Sequence, residues 1–204
     1  MASARIVWEE LIFDLYNHGF ILFGEFTLSS GLKSPYYIDL RLAFSVPHIL
    51  RKVAFLYRHE AFRCCRFDAV AGIEMGSIPI AGILAYTMDV PMVYVRKSAK
   101  EYATKKYIEG IVNKGDRILV LEDVSTTGSS IIHAVERLRE VGAVVDKAIV
   151  FIDRGQGAIE SLKEIGVDLI AIYRVSDIMD LLYSRGYLDG EKYNIVMEYL
   201  SRQR

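Results

Sequence analysis

Apolar positions follow one rhythm at the start of the chain and a second, repeating one afterwards. Residues 4–17 (ARIVWEELIFDLYN) place Ile6, Leu11, Ile12 and Leu15 at helical spacing, and Gly19 marks the stop. ILFGEFTLSSGLKSPYYIDLR follows. Its Gly24, the SSG turn and the SP step divide it into two β-like runs, which predicts an irregular hairpin. Residues 46–62 read as a helix with Pro47 in its first turn, a position that tolerates the missing N–H.

From residue 67 the pattern repeats. FDAVAGI, PMVYVRK, RILVLED, AVVDKAIVFID and DLIAIY read as strands, and all but the second are apolar nearly throughout. Helical segments separate most of them: IPIAGILAYTM, TGSSIIHAVERLREVG closed by Gly142, and AIESLKEIG closed by Gly166. The exception is a long polar segment, SAKEYATKKYIEG, after the second strand. Helical segments follow the last strand. Apolar strands alternating with amphipathic helices predict a parallel sheet covered on both faces, with right-handed crossovers. The expected fold is therefore a Rossmann-like α/β domain. One domain over 1–204 is expected, with residues 1–42 forming a helix-plus-hairpin appendage on a core of 43–204.

Composition narrows the function classes. The chain has 204 residues, 52% of them hydrophobic and 25% charged, and its formal net charge is −1. That balance fits a soluble folded domain and gives no global attraction to nucleic acid or an anionic membrane. Neither is expected as a partner. The two cysteines, Cys64 and Cys65, are sequence neighbours and ill placed to pair, which favours a reducing compartment. MASARIVWEELIF is interrupted by charges and lacks the apolar run of a signal peptide. No apolar run reaches the ~18–20 residues of a bilayer span. A cytoplasmic location is expected. The four histidines are scattered without metal-site spacing.

In α/β sheets, ligands bind beyond the C-terminal strand ends. The strand ILVLED ends in Glu122 and Asp123 and runs at once into Val124, Ser125, Thr126, Thr127, Gly128, Ser129 and Ser130. Free N–H groups of a helix's first turn, helped by small hydroxyls, form an anion site. Carboxylates at the strand end accept hydrogen bonds from vicinal sugar hydroxyls. Neither G-x-x-x-x-G-K-[ST] nor G-x-G-x-x-G occurs, so a monophosphorylated sugar is favoured over a nucleoside triphosphate or a dinucleotide. An ordinary strand–turn–helix joint would need one cap residue, not two acids and five hydroxyls.

ILVLEDVSTTGSS resembles the signature of the type I phosphoribosyltransferases, which bind 5-phosphoribosyl 1-pyrophosphate (PRPP). The usual acid pair there is often Asp-Asp, so Glu122 is a mild departure. FGEFTLSSGLKSPYYIDLR (23–41) is similar to the N-terminal signature of the orotate phosphoribosyltransferases, and VYVRKSAKEYATKKYIEG (93–110) to their mobile catalytic loop. The resemblance spans nearly the whole chain.

It implies the type I phosphoribosyltransferase fold, with the N-terminal segment as a hood. It also implies transfer of the phosphoribosyl group of PRPP to orotate in pyrimidine synthesis, dependent on Mg2+. By resemblance, Glu122 and Asp123 hold the ribose, and Val124, Ser125, Thr126, Thr127, Gly128, Ser129 and Ser130 hold the 5'-phosphate. Arg96, Lys97 and Lys100 contact pyrophosphate. Lys100 acts across a homodimer interface with shared active sites. Thr126 and Arg154 bind orotate. Lys100, Glu122 and Asp123 are the expected catalytic residues. No protein metal ligands are expected, the magnesium being held mainly by substrate oxygens and water.

The loop also has a physical reading. Arg96, Lys97, Lys100, Lys105 and Lys106 form a cluster of cations with Glu101 as its acid. They suit a departing pyrophosphate, although surface lysines also populate ordinary loops. A loop of this length suggests a lid. Three further departures from the family pattern stand out. Tyr102 replaces a frequent histidine, and its phenol, with an ordinary pKa of ~10, is a poor proton carrier at neutral pH. Gly76, in the glycine loop GIEMGSIP that resembles the pyrophosphate-binding loop, replaces a lysine of several relatives. Ser29 replaces another lysine, near Lys33.

Other readings remain open at the level of sequence. Arg154 suits a carboxylate or imide edge, or is a surface residue paired with Asp153. Tyr36 and Tyr37 lie over the site or belong to the core. A transferase for another base and a non-catalytic PRPP sensor are the alternative functions. The first is disfavoured by FTLSSGLKSPYY, the second by the missing DNA-reading module.

Overall fold

The computed structural model describes residues 2–27, 33–98 and 107–203. Ser29, Lys100, Tyr102, Lys105 and Lys106, singled out above, lie outside the described residues.

Helix α1 (Ala2–Asn17) leads into hairpin β1 (Ile21–Thr27) and β2 (Lys33–Ile38), paired antiparallel with a register irregularity between Phe23 and Phe26. A 3₁₀ helix, Leu40–Ser45, connects to α2 (Pro47–Cys64), whose Pro47 occupies the first turn as expected. The core then runs β3 (Ala69–Ile73), α3 (Ile78–Met88), β4 (Met92–Val95), β5 (Ile108–Glu109), β6 (Ile118–Ser125), α4 (Ser129–Glu140), β7 (Lys147–Asp153), α5 (Ala158–Glu164) and β8 (Asp168–Arg174). Helices α6 (Val175–Ser184) and α7 (Gly190–Ser201) follow.

The main sheet has the order β5-β4-β3-β6-β7-β8. Every pair is parallel except β4–β5. Side chains of the central strands alternate between two buried layers, as period-2 geometry requires. Leu119, Leu121, Ile149 and Phe151 face the layer of α1, α2, α3, α6 and α7. Ile118, Val120 and Ala148 face the layer of α4 and α5, where Ile131, Val135 and Leu138 repeat at helical spacing.

Four local differences from the expected elements have physical causes. The polar segment contributes β5, two residues whose strand character comes only from pairing with Tyr94 and Val95. The 3₁₀ helix is set by Asp39, whose side chain accepts from the N–H of Arg41 at 3.1 Å. The strand expected from residue 143 starts at Lys147, and its leading residues make only an isolated bridge, Val144 to Arg117. Ile6, counted as an inward position of α1, is 58% exposed, while the neighbouring Trp8 stacks on Tyr173 and donates to the carbonyl of Ile172.

Candidate active site

Four pieces of chain meet beyond the C-terminal ends of β3, β6 and β7. The first is the turn after β6. Gly128 has φ 82°, a left-handed conformation that favours glycine, and an added Cβ would stand 3.3 Å from the Cα of Ala158. Gly128 caps α4 without any side-chain cap bond, so the first-turn N–H groups are not consumed by a capping side chain. Thr127, Ser129 and Ser130 are exposed around them, and Ser125 is buried. A small hollow of about 30 Å³ is lined by Glu122, Val124, Ser125, Thr126 and residues 128–131. The turn Val124–Ser130 thus sets uncapped N–H groups and small hydroxyls around this hollow, with Glu122 at its rim.

The second piece is the acid pair. Glu122 is 6% exposed, and its Oε1 accepts from the N–H of Asp123 at 3.1 Å. Burial, followed by the neighbouring Asp123 charge, holds its carboxyl well above the usual carboxylate range. The fully buried Tyr57 of α2 donates to the Glu122 carbonyl oxygen at 2.6 Å. Asp123 is half-buried, and its Oδ1 accepts from the N–H of Val124 at 2.8 Å. These carboxylate oxygens are hard donors of the kind magnesium takes. Among the described residues, no three His, Cys, Asp or Glu side chains stand close enough to hold a metal by themselves.

The third piece is the glycine loop after β3. The Glu74–Met75 peptide is cis. Ser77, fully buried, closes the loop by accepting from the N–H of Ile73 at 2.6 Å and donating to its carbonyl at 3.0 Å. Gly76 stands directly against the Asp123 carboxylate: a Cβ there would fall 2.6 Å from Asp123 Cγ. Glu74 ties this loop to the root of the polar segment. Its N–H donates to the Val95 carbonyl at 2.9 Å, and its Oε2 accepts from the N–H of Lys97 at 3.0 Å. The root is pinched where the N–H of Arg96 donates to the Tyr107 carbonyl at 2.8 Å. Arg96 Nη1 lies 3.7 Å from Glu109 Oε1, and Lys97 is exposed with its charge felt at Glu122.

The fourth piece is Arg154, at the end of β7. It is 8% exposed and makes no ion pair with Asp153 or with any other described residue. The surface-pair reading is thereby overturned. Its Nε donates to the Tyr36 hydroxyl at 2.9 Å, its Nη2 to Ser34 Oγ at 3.0 Å, and its guanidinium lies 4.7 Å from the Tyr36 ring centroid. Tyr36 is buried, whereas Tyr37 is half-buried and its hydroxyl accepts from Arg41 Nη2 at 3.1 Å. The two tyrosines thus divide the alternatives: Tyr36 packs inward and Tyr37 stays at the surface.

Sequence reasoning missed Ser34, Arg41, Tyr57 and Glu74. Arg41 pairs with Asp39 at 2.7 Å and feels the Asp123 charge, which links the hairpin's exit to the acid pair. Its signal was the D-x-R spacing just past the hairpin. The other three had no sequence signal, since each acts through a backbone atom or through Arg154.

A hollow of about 740 Å³ lies between the hairpin and α7, lined by Phe23, Lys33, Ser34, Ile195 and Tyr199 among others, and includes neither strand-end acid. Chemistry, not volume, therefore locates the site.

A parallel sheet with an anion cradle and an acid pair at the end of its third parallel strand along the chain defines a type I phosphoribosyltransferase. The phosphoribosyl transferase domain family matches residues 47–176. The chain is 42% identical to an orotate phosphoribosyltransferase of Pyrobaculum islandicum, over 91% of this chain and 95% of that protein. It is 40% identical to one from Staphylothermus marinus, over 99% and 98%. The crystal structure of the Aeropyrum pernix orotate phosphoribosyltransferase superposes with a TM-score of 0.78 at 36% identity, covering 88% of this chain and 99% of that one. The chain belongs to the orotate phosphoribosyltransferase family.

Proposed function

We propose that the chain transfers the 5-phosphoribosyl group of PRPP to N1 of orotate, giving orotidine 5'-monophosphate and pyrophosphate in pyrimidine nucleotide synthesis. The observation that carries this reading is the buried Arg154, which makes no ion pair among the described residues, beside the Val124–Ser130 turn and the acid pair. A buried cation without a counter-ion is costly, and an anionic planar ligand offsets that cost. Orotate is such a ligand. Family membership supports the same substrates.

In this mechanism the turn Val124–Ser130 holds the 5'-phosphate through its N–H groups and hydroxyls. Glu122 and Asp123 accept from the ribose hydroxyls and stabilise positive charge growing at the anomeric carbon as the C–O bond to pyrophosphate breaks. Arg96, Lys97 and Lys100 receive the leaving pyrophosphate. Arg154 and Thr126 orient orotate so that N1 faces the anomeric carbon. Magnesium bound with PRPP would supply charge neutralisation at the leaving group, and the Glu122 and Asp123 carboxylates are the protein oxygens that would face it. The hairpin β1–β2 serves as the hood over the base.

The working unit is a homodimer in which Lys100 reaches the partner's site. Its support on this chain is exposed apolar surface on two adjacent helices: Phe55 and Phe62, two turns apart on α2, and Tyr86 on α3, 88% exposed. A cytoplasmic location fits the reaction. Among the described residues no helix is long and apolar enough to cross a membrane.

The direct test follows loss of orotate absorbance with PRPP and magnesium. Conversion to orotidine monophosphate is expected. Turnover of a purine base without turnover of orotate would overturn the assignment.

A further inference from the structure

Arg154 is held by a short stretch of the hairpin that is 118 and 120 residues distant in sequence. A guanidinium carries five N–H donors in one plane. Two are committed: Nε to the Tyr36 hydroxyl and one on Nη2 to Ser34 Oγ. Nη1 makes no hydrogen bond among the described residues, and Arg154 lines an open hollow of about 600 Å³ with Asp153, Gly155, Gln156 and Ala158.

The holders are themselves fixed. Ser34 is buried, and its hydroxyl donates to the Tyr36 carbonyl at 2.7 Å while accepting from Arg154. Its proton is thus directed away from the arginine. The Tyr36 ring, 1% exposed, lies against the guanidinium on one side and meets Tyr199 of α7 edge-on, with centroids 6.1 Å apart. Arginine normally loses considerable rotamer freedom on engaging a ligand. Here that freedom is already gone before any ligand arrives.

We propose that Tyr36 and Ser34 are positioning residues for base recognition, which preset the Arg154 guanidinium so that its remaining N–H groups meet a planar heterocycle bearing a carboxylate or imide edge. This rests on the assignment of orotate as the base. A preset fork rewards a ligand whose acceptors match its plane, and penalises uracil, which lacks the carboxylate. Neither positioning residue belongs to the strand–turn–helix assigned to PRPP, so their loss is expected at one substrate only.

The test uses the full chain with saturation curves for both substrates, competition by uracil, and thermal melts. Arg154→Ala is the reference and raises KM for orotate without a matching change for PRPP. Tyr36→Phe keeps the ring and removes only the acceptor for Nε; a rise of about tenfold in KM for orotate, with KM for PRPP within about twofold, is expected. Ser34→Ala follows the same pattern, and Ser34→Thr, which keeps the hydroxyl, recovers most of the loss. The ratio of orotate to uracil affinity falls in both positioning variants. If Arg154→Ala loses orotate selectively while Tyr36→Phe and Ser34→Ala behave as wild type, the positioning role is overturned and the function stands. Equal losses for both substrates with a lowered melting temperature make the two residues structural and overturn it as well. If Arg154→Ala has no orotate-selective effect, the base site itself has been misplaced and this inference goes with it.

Discussion

Gly76 and Asp123 share a space that holds only one of their side chains. The carboxylate occupies the position where a Cβ on residue 76 would project, with Asp123 Cγ 2.6 Å from it. Gly76 does not have a positive φ, so alanine is compatible with its backbone. Gly76→Ala is therefore expected to fold and yet displace Asp123. kcat/KM for PRPP should fall at least tenfold, about 1.4 kcal/mol of transition-state stabilisation, with an unchanged far-ultraviolet spectrum. Initial rates against PRPP check this, and wild-type kinetics would mean that Asp123 takes another rotamer when substrate binds.

Tyr57 connects the core of α2 to the reacting end of β6 through the bond from its hydroxyl to the Glu122 carbonyl, and the same hydroxyl is hydrogen-bonded by the Phe151 backbone. Tyr57→Phe leaves that carbonyl short of one partner and keeps the ring stacked on Phe151. A lost buried hydrogen bond costs about 1–3 kcal/mol. At about 2–4 °C per kcal/mol for a chain of this size, Tm should drop by several degrees. The affinity for PRPP should weaken with it, because the Glu122 backbone loses its brace. Calorimetry and PRPP titration on the same preparation measure both.

The parts of this protein that were legible in its sequence are those in which neighbours in the chain do the work together. Glu122 to Ser130 is one continuous strand–turn–helix, and its residue types announce an anion and a sugar. The strands β3, β6, β7 and β8 announced themselves by apolar runs too uniform for a half-exposed sheet. What stayed hidden depends on contacts between distant segments. Arg154 also admits a reading as a surface residue until Tyr36 and Ser34 are seen to cover it. The β5 strand has no propensity signal in two residues, because its partner strand creates it. Glu74 acts through a carboxylate aimed at a backbone N–H, and no spacing rule encodes that.

Glu122 lends itself to a pH experiment. Burial raises its carboxyl well above the ordinary range, while in the unfolded chain it ionises near pH ~4.3. Above that pH the folded state binds more protons than the unfolded state, so stability falls as pH rises until the folded carboxyl has also ionised. Glu122→Gln removes this cost. The variant should melt higher than wild type at neutral pH, and the difference should vanish below pH ~4, where the glutamate is protonated in both the folded and the unfolded chain. Its turnover should nevertheless be reduced, since the charge is what the ribose site uses. Melting curves across this range decide it: a constant difference at all pH values would mean that packing, not ionisation, separates the two proteins.

The shared-site dimer makes the most exacting demand. Lys100→Ala and Asp123→Asn are each expected to be nearly inactive, one for want of the loop cation and the other for want of the ribose acid. In a mixed dimer, the subunit carrying Lys100→Ala keeps its own Asp123 and receives Lys100 from its partner. That site is complete, while the other site lacks both groups. Random exchange makes half of the dimers mixed, with one good site in two, so about a quarter of the wild-type specific activity should return. Exchange is verified separately with differently tagged subunits. Recovery near a quarter establishes that Lys100 works in the partner's site. If exchange is complete and no activity returns, Lys100 acts within its own subunit. A monomer by sedimentation would leave the exposed Phe55, Phe62 and Tyr86 without the partner assigned to them.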